Sequence, residues 1–197
     1  MRTMLVGAVM LLACLSGAAR ADEASAVRAV EKLGGKVTRD GKLPGKPVIG
    51  VNLAGTKVTD AGLKELKDLK QLTSLNLTHT EVTDAGLKEL KDLKQLTSLN
   101  LSATAVTDAG LKELADLKQL ASLNLGGNKV TDAGLKELAD LNQLTSLDLH
   151  QTQVTDAGLK ELKHLKQLTT LELNFTKVTA DGVADLQKAL PGCKITR

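Results

Sequence analysis

The chain of 197 residues is long enough for one domain with a sizeable core, and it carries 26 basic against 23 acidic residues with one Phe, no Trp and no Tyr. No basic run free of acids and no aromatic stacking platform is present, which excludes nucleic-acid binding. Two of the bases, Arg2 and Arg20, fall in residues 1–21, which hold no acids, so the remainder has 24 bases against 23 acids and is nearly neutral.

The first element in chain order is a leader. Arg2 precedes an apolar run over residues 4–15, and Ala19-Arg20-Ala21 forms a small-x-small site before Asp22. This predicts a secretory signal peptide over residues 1–21, cleaved after Ala21, and a periplasmic or extracellular product. Twelve apolar residues make roughly 18 Å of helix against the ~30 Å hydrocarbon core, so no membrane insertion is expected after cleavage. Leu11-Leu12-Ala13-Cys14 fits a lipoprotein box less well, with Leu12 unusual in it; that processing would tether the chain by a lipid on Cys14.

Residues 22–33 have the apolar spacing of one amphipathic helix, ended by Gly34-Gly35. Strands are predicted at 36–39 and 48–53, joined by a turn through Gly41, Pro44, Gly45 and Pro47. Residues 22–47 thus form an N-terminal cap of helix plus strand. Repeats occupy 48–177, and a capping repeat occupies 178–197. There Val178, Val183 and Leu186 stay in phase, Pro191-Gly192 closes the turn, and Lys194 and Arg197 predict a charged, poorly pairing edge. Cys193, alone once the leader is removed, reads as a small buried apolar residue or as half of an intermolecular bridge in an oxidising compartment.

Between the caps the run VTDAGLKEL recurs at residues 58, 82, 106, 130 and 154, a constant 24 residues apart. Within residues 58–81, Leu63, Leu66 and Leu69 recur every three residues, as on one face of a short helix or 3-10 turn. Leu75 and Leu77 recur every two, as on one face of a strand. Thr59 or Asp60 is placed to cap the helix, and the Asp60, Asp84, Asp108, Asp132, Asp156 series reads as caps. Lys64, Glu65, Lys67 and Asp68 give a solvated outer face with i,i+4 pairs Asp60–Lys64 and Lys64–Asp68. One unit buries too little to stand alone, so units must stack.

The pattern Leu-x-x-Leu-x-x-Leu-x-Leu-x-x-Thr-x-Val-Thr-Asp-x-Gly-Leu-x-x-Leu resembles a bacterial leucine-rich repeat of 24 residues, similar to the ribonuclease-inhibitor-like class, from residue 48 to about 190. The resemblance implies an α/β fold: a right-handed leucine-rich-repeat solenoid, a horseshoe arc with a parallel sheet on its concave face and short helices on its convex face. Thr56, Thr80, Thr104, Thr152 and Thr176 stand where members of the family carry Asn, and only Asn128 keeps it; this affects turn detail rather than fold. The resemblance also implies recognition of another protein through the concave sheet, by a monomer that uses no cofactor and is not an enzyme.

With Leu75 and Leu77 inward, neighbouring residues line up in outward columns. One reads Gly50, Ser74, Ser98, Ser122, Ser146, Thr170; a second Asn52, Asn76, Asn100, Asn124, Asp148, Glu172; a third Ala54, Thr78, Ser102, Gly126, His150, Asn174; and a fourth, at the rim, Gly55, His79, Ala103, Gly127, Gln151, Phe175. Variation concentrates late in the array. Asp148, His150, Glu172, Asn174 and Phe175, with Asn100 and Asn124 beside them, form the candidate binding patch, with His150 diagonal to Glu172. A His and two carboxylates could ligate a metal, but nothing fixes their geometry and none is assigned. His79 is three strands away, and His164 falls on the solvated convex side. The serine column has no base except His150 near Ser146, no pocket and no oxyanion donors, so no catalytic residue is assigned. A substrate-reading adaptor or effector module is an alternative, although residues 22–47 leave no room for a recruiting domain. Glycan binding at the envelope is another, disfavoured by the lack of Trp and Tyr.

Overall fold

The computed structural model describes residues 17–197, with side chains from Asp22 onward. The apolar run of the leader, Cys14 and Arg2 lie outside the described residues. Helix α1 (Gly17–Lys32) begins five residues before the predicted start and runs unbroken past Ala21, through three alanines that favour helix. It turns at Gly34-Gly35 into an antiparallel hairpin of β1 (Lys36–Arg39) and β2 (Val48–Asn52). Glu23 of α1 fastens the two together: its Oε1 lies 2.7 Å from Arg39 Nη1, and its Oε2 accepts the Val48 amide.

From β2 on, every strand pairs in parallel with the one 24 residues later: β3 (Ser74–Asn76), β4 (Ser98–Asn100), β5 (Ser122–Asn124), β6 (Ser146–Asp148), β7 (Thr170–Glu172) and β8 (Lys194–Thr196). The result is one open eight-stranded sheet in sequence order. Register pairs Leu75 with Leu99 and Leu123 with Leu147, so the inward leucines stack into one continuous core. Lys194–Thr196 is a full strand, because Ile195 takes the inward position opposite Leu171; only its outer side is left as an edge.

The return segments cross the other side of the core. They are α2 (Asp60–Leu63), α3 (Asp84–Leu87), α4 (Asp108–Leu111), α5 (Asp132–Lys136), α6 (Asp156–Leu159) and the longer α7 (Ala180–Ala189). After α2, α3, α4 and α6 the chain tightens into a 3-10 turn, which brings Leu66, Leu90, Leu114 and Leu162 inward at three-residue spacing. The outer-face pairs Asp60–Lys64 and Lys64–Asp68 are not among the ion pairs of the described residues. A 3-10 turn does not stack i over i+4, and Asp60 is engaged elsewhere.

That engagement corrects the capping role given to the aspartates and leaves the threonine alternative. In five of the six units it is the threonine that caps: Thr83, Thr107, Thr131 and Thr155 each accept the amide two residues on and Thr179 accepts the Gly182 amide, while Thr59 makes no side-chain cap. The aspartate reaches forward into the next unit. Asp60 Oδ1 accepts the Thr83 amide at 2.8 Å and Oδ2 the Thr83 hydroxyl at 2.7 Å. The same pair of bonds joins Asp84 to Thr107, Asp108 to Thr131, Asp132 to Thr155 and Asp156 to Thr179. The repeated Thr-Asp-x-Gly is therefore a seam between units.

The threonines that replace the family's asparagine behave as expected, in part. Thr80 Oγ1 donates to Leu77 O within its own unit, as do Thr56, Thr104, Thr152 and Thr176 to their equivalents. Asn128 alone spans two units, donating to Leu101 O and Leu125 O while accepting from Thr104.

Candidate functional site

The sheet's solvent face carries the predicted columns. Its second column does local work: Asn52, Asn76, Asn100 and Asn124 each use Oδ1 to accept the amide two residues later, closing the turn that leaves the strand. Asp148 does the same for the His150 amide at 2.9 Å, so replacing Asn with Asp here preserves the turn. Glu172, one methylene longer, abandons that role. Its Oε2 instead accepts from Asn174 Nδ2 at 3.1 Å, and its Oε1 takes part in no hydrogen bond.

Asn124, Asp148 and His150 form one connected group. Asn124 Nδ2 donates to Asp148 Oδ2 at 2.9 Å, and His150 Nδ1 lies 2.8 Å from Asp148 Oδ1. A carboxylate only accepts, so Nδ1 carries a ring proton in this contact. The ring leans over Gly126 in the preceding unit, where any Cβ would meet its Cε1 and Nδ1. The register keeps His150 diagonal to Glu172, while its ring lies over Gly126. The absence of a side chain at Gly126 leaves room for the imidazole there.

Asp148 and Glu172 are in register on neighbouring strands, as expected, but no hydrogen bond joins the two groups. Asn100 is bonded only to its own turn. Phe175 stands apart and is 87% exposed. Its φ is +60°, and the whole rim column shares this left-handed geometry: Gly55, His79, Ala103, Gly127 and Gln151 lie between +53° and +72°. Sequence reasoning missed this turn, the Asp–Thr seam and the berth at Gly126. Two glycines in the rim column were the available signal for the first. Among the described residues no group of three or more His, Cys, Asp and Glu is placed to hold a metal ion, and no helix is long and apolar enough to cross a membrane.

Residues 70–130 and 141–163 match two leucine-rich-repeat families. A leucine-rich-repeat protein of Leptospira interrogans is 32% identical with a TM-score of 0.55, over 68% of this chain and 33% of that one. An internalin (inlF) of Listeria monocytogenes is 22% identical with a TM-score of 0.56, over 90% of this chain and 57% of that one. The ectodomain of the Arabidopsis receptor kinase HAESA, solved in complex with an IDA peptide hormone ligand, is 16% identical with a TM-score of 0.62, over 91% of this chain and 33% of that one. The fold is a leucine-rich-repeat solenoid. Its sheet lines the concave side of the horseshoe and its short helices the convex side. The chain spans a third of the Leptospira protein and little more than half of the internalin. No curated protein matches it in sequence.

Proposed function

We propose that this leucine-rich-repeat chain is an exported, non-enzymatic monomer that recognises another protein through its concave sheet. One observation carries the reading: units otherwise near-identical change their outward residues at β6 and β7, and Glu172 there gives up the turn contact that the rest of the column makes. The contact residues on this reading are Asn100, Asn124, Asp148, His150, Glu172, Asn174 and Phe175. A sheet held by the Asp–Thr seam presents them preformed, which lowers the entropy cost of binding. Leucine-rich-repeat proteins are in general non-catalytic binding modules, and the HAESA structure carries a peptide on this fold.

Residues 1–21 are assigned as the signal peptide, 22–47 and 178–197 as caps, and the product as periplasmic or extracellular without membrane insertion. The helical turns of the convex side support the ribonuclease-inhibitor-like class with 24-residue units. A photoreactive residue at Asn124, with Lys112 on the convex side as control, tests the reading in the native cell. Capture of one protein from Asn124 and none from Lys112 supports it; equal capture from both positions, or none from either, sinks it. Amino-terminal sequencing of the exported protein should begin at Asp22, and a start elsewhere would reject the cleavage site.

A further inference from the structure

The outward face of the sheet is neutral and small over most of its length: Ser74, Asn76, Ser98, Asn100, Ser122 and Asn124 recur in register. Formal charge on the face occurs at Lys36 on β1, at Asp148 and Glu172, and at Lys194 on β8. Neither lysine is ion-paired with the carboxylates among the described residues. Asp148 has both oxygens taken by Asn124 and His150, so it supplies field rather than contact. Glu172 keeps Oε1 free.

Three residues beyond Glu172 stands the exposed ring of Phe175. Among the described residues the other exposed large hydrophobic, Leu43, sits in the β1–β2 hairpin turn at the opposite end of the array. Phe175 holds this place although its left-handed backbone disfavours a side chain and glycine serves at two equivalent positions. An aromatic ring in water is a poor resident, and nothing in the core requires it. Apolar surface, an open acceptor and two carboxylates against the single lysine of β8 thus coincide at one end of an otherwise bland sheet.

Resting on the reading of this sheet as the recognition face, we propose that its β6–β7 end takes an arginine side chain from an extended segment of the partner protein. A guanidinium has donors and no acceptors, matching the free Glu172 oxygen. It is flat and weakly hydrated, so it stacks on the Phe175 ring where an ammonium would stay solvated. The serine and asparagine rows toward β3 admit the small residues and backbone of the same segment.

A random dodecapeptide library displayed on phage and panned against the purified protein tests this. Enriched peptides should share an arginine, and replacing it with citrulline or lysine should weaken binding by about tenfold. The double variant Glu172→Gln/Phe175→Ala should weaken it by at least as much, with an unchanged melting temperature. Enriched peptides without a basic residue, citrulline or lysine forms that bind within about twofold of arginine, or no enrichment at all overturns the proposal. Peptides blocked by Asn100→Arg but indifferent to the double variant leave recognition through the face standing and remove the arginine site. Peptides indifferent to both remove the recognition reading as well.

Discussion

The Asp–Thr seam and the β6–β7 end of the sheet are cut from the same repeat, yet they differ in what their polar groups leave unused. Along the seam, every aspartate from Asp60 to Asp156 spends one oxygen on an amide and the other on a hydroxyl of the following unit. On the sheet, Glu172 has an oxygen without a partner, and Phe175 has a ring in solvent. Sameness therefore marks the residues that hold units together, and departure marks those free to face something else. Substitutions in the two regions should separate stability from binding.

The largest stability effect belongs to the seam. A Cβ on Gly110 would collide with Asp84 Oδ1 and come within 3.1 Å of the Asp84 Cα. Gly110→Ala should destabilise by about 1–3 kcal/mol in urea unfolding, despite the helix preference for Ala. Gly41→Ala, with nothing within 4 Å, should change stability by less than about 0.5 kcal/mol. If the collision is with the carboxylate, adding Asp84→Ala to Gly110→Ala should be less than additive in a double-mutant cycle. Full additivity would mean that the two residues do not meet.

At the sheet end the sign should reverse. Phe175→Gly relieves a left-handed backbone and buries nothing less, so it should raise stability by a few tenths to about 1 kcal/mol. Glu172→Gln should leave stability within about 0.5 kcal/mol. A marked loss of stability in either variant would make these residues structural and erase the contrast with the seam.

Acid sharpens the seam further. Asp156 is held below its ordinary value of 3.8, first by the Thr179 hydroxyl and then by the Thr179 amide. A lowered carboxyl contributes stability that is fully present above the unfolded value and lost as pH falls through the folded one. The junction between α6 and α7 should therefore weaken below pH 3.8, and Asp156→Asn should flatten that part of the stability profile. Asp185, lowered by its hydrogen bond to Lys188, acts in the same range, so the Asp156→Asn profile should keep a residual slope that Asp185→Asn removes. An unchanged profile in both variants would show that neither bond matters to folding.

Much of the architecture was legible because a period constrains every copy at once. The switch from three-residue to two-residue leucine spacing located strands and turns, and the outward columns followed from alternation alone. The aspartates were misread because one unit, taken by itself, offers only its own helix start as a partner; the true partner lies in the next copy, 23 residues on. The rim geometry was hidden because Ala103, Gln151 and Phe175 do not look like left-handed residues, and the amides of Ala103 and Gln151 are bonded to the following unit, which a single unit does not show. The ring contact of His150 was hidden for a related reason: the room it occupies is a missing side chain in the preceding unit.

That last dependence can be tested with the smallest perturbation. Gly126→Ala puts a methyl where the imidazole lies, and a ring at the end of a flexible side chain can swing away at little cost. Stability should change by less than about 0.5 kcal/mol. The hydrogen bond to Asp148 should nevertheless be lost, and nitrogen NMR should show His150 passing from one Nδ1-protonated tautomer to a mixture. If the single tautomer persists, Asp148 alone orients the ring and Gly126 is incidental. If it does not, then the third column carries a two-residue device, a gap after β5 and a ring after β6, that no residue of either unit encodes separately.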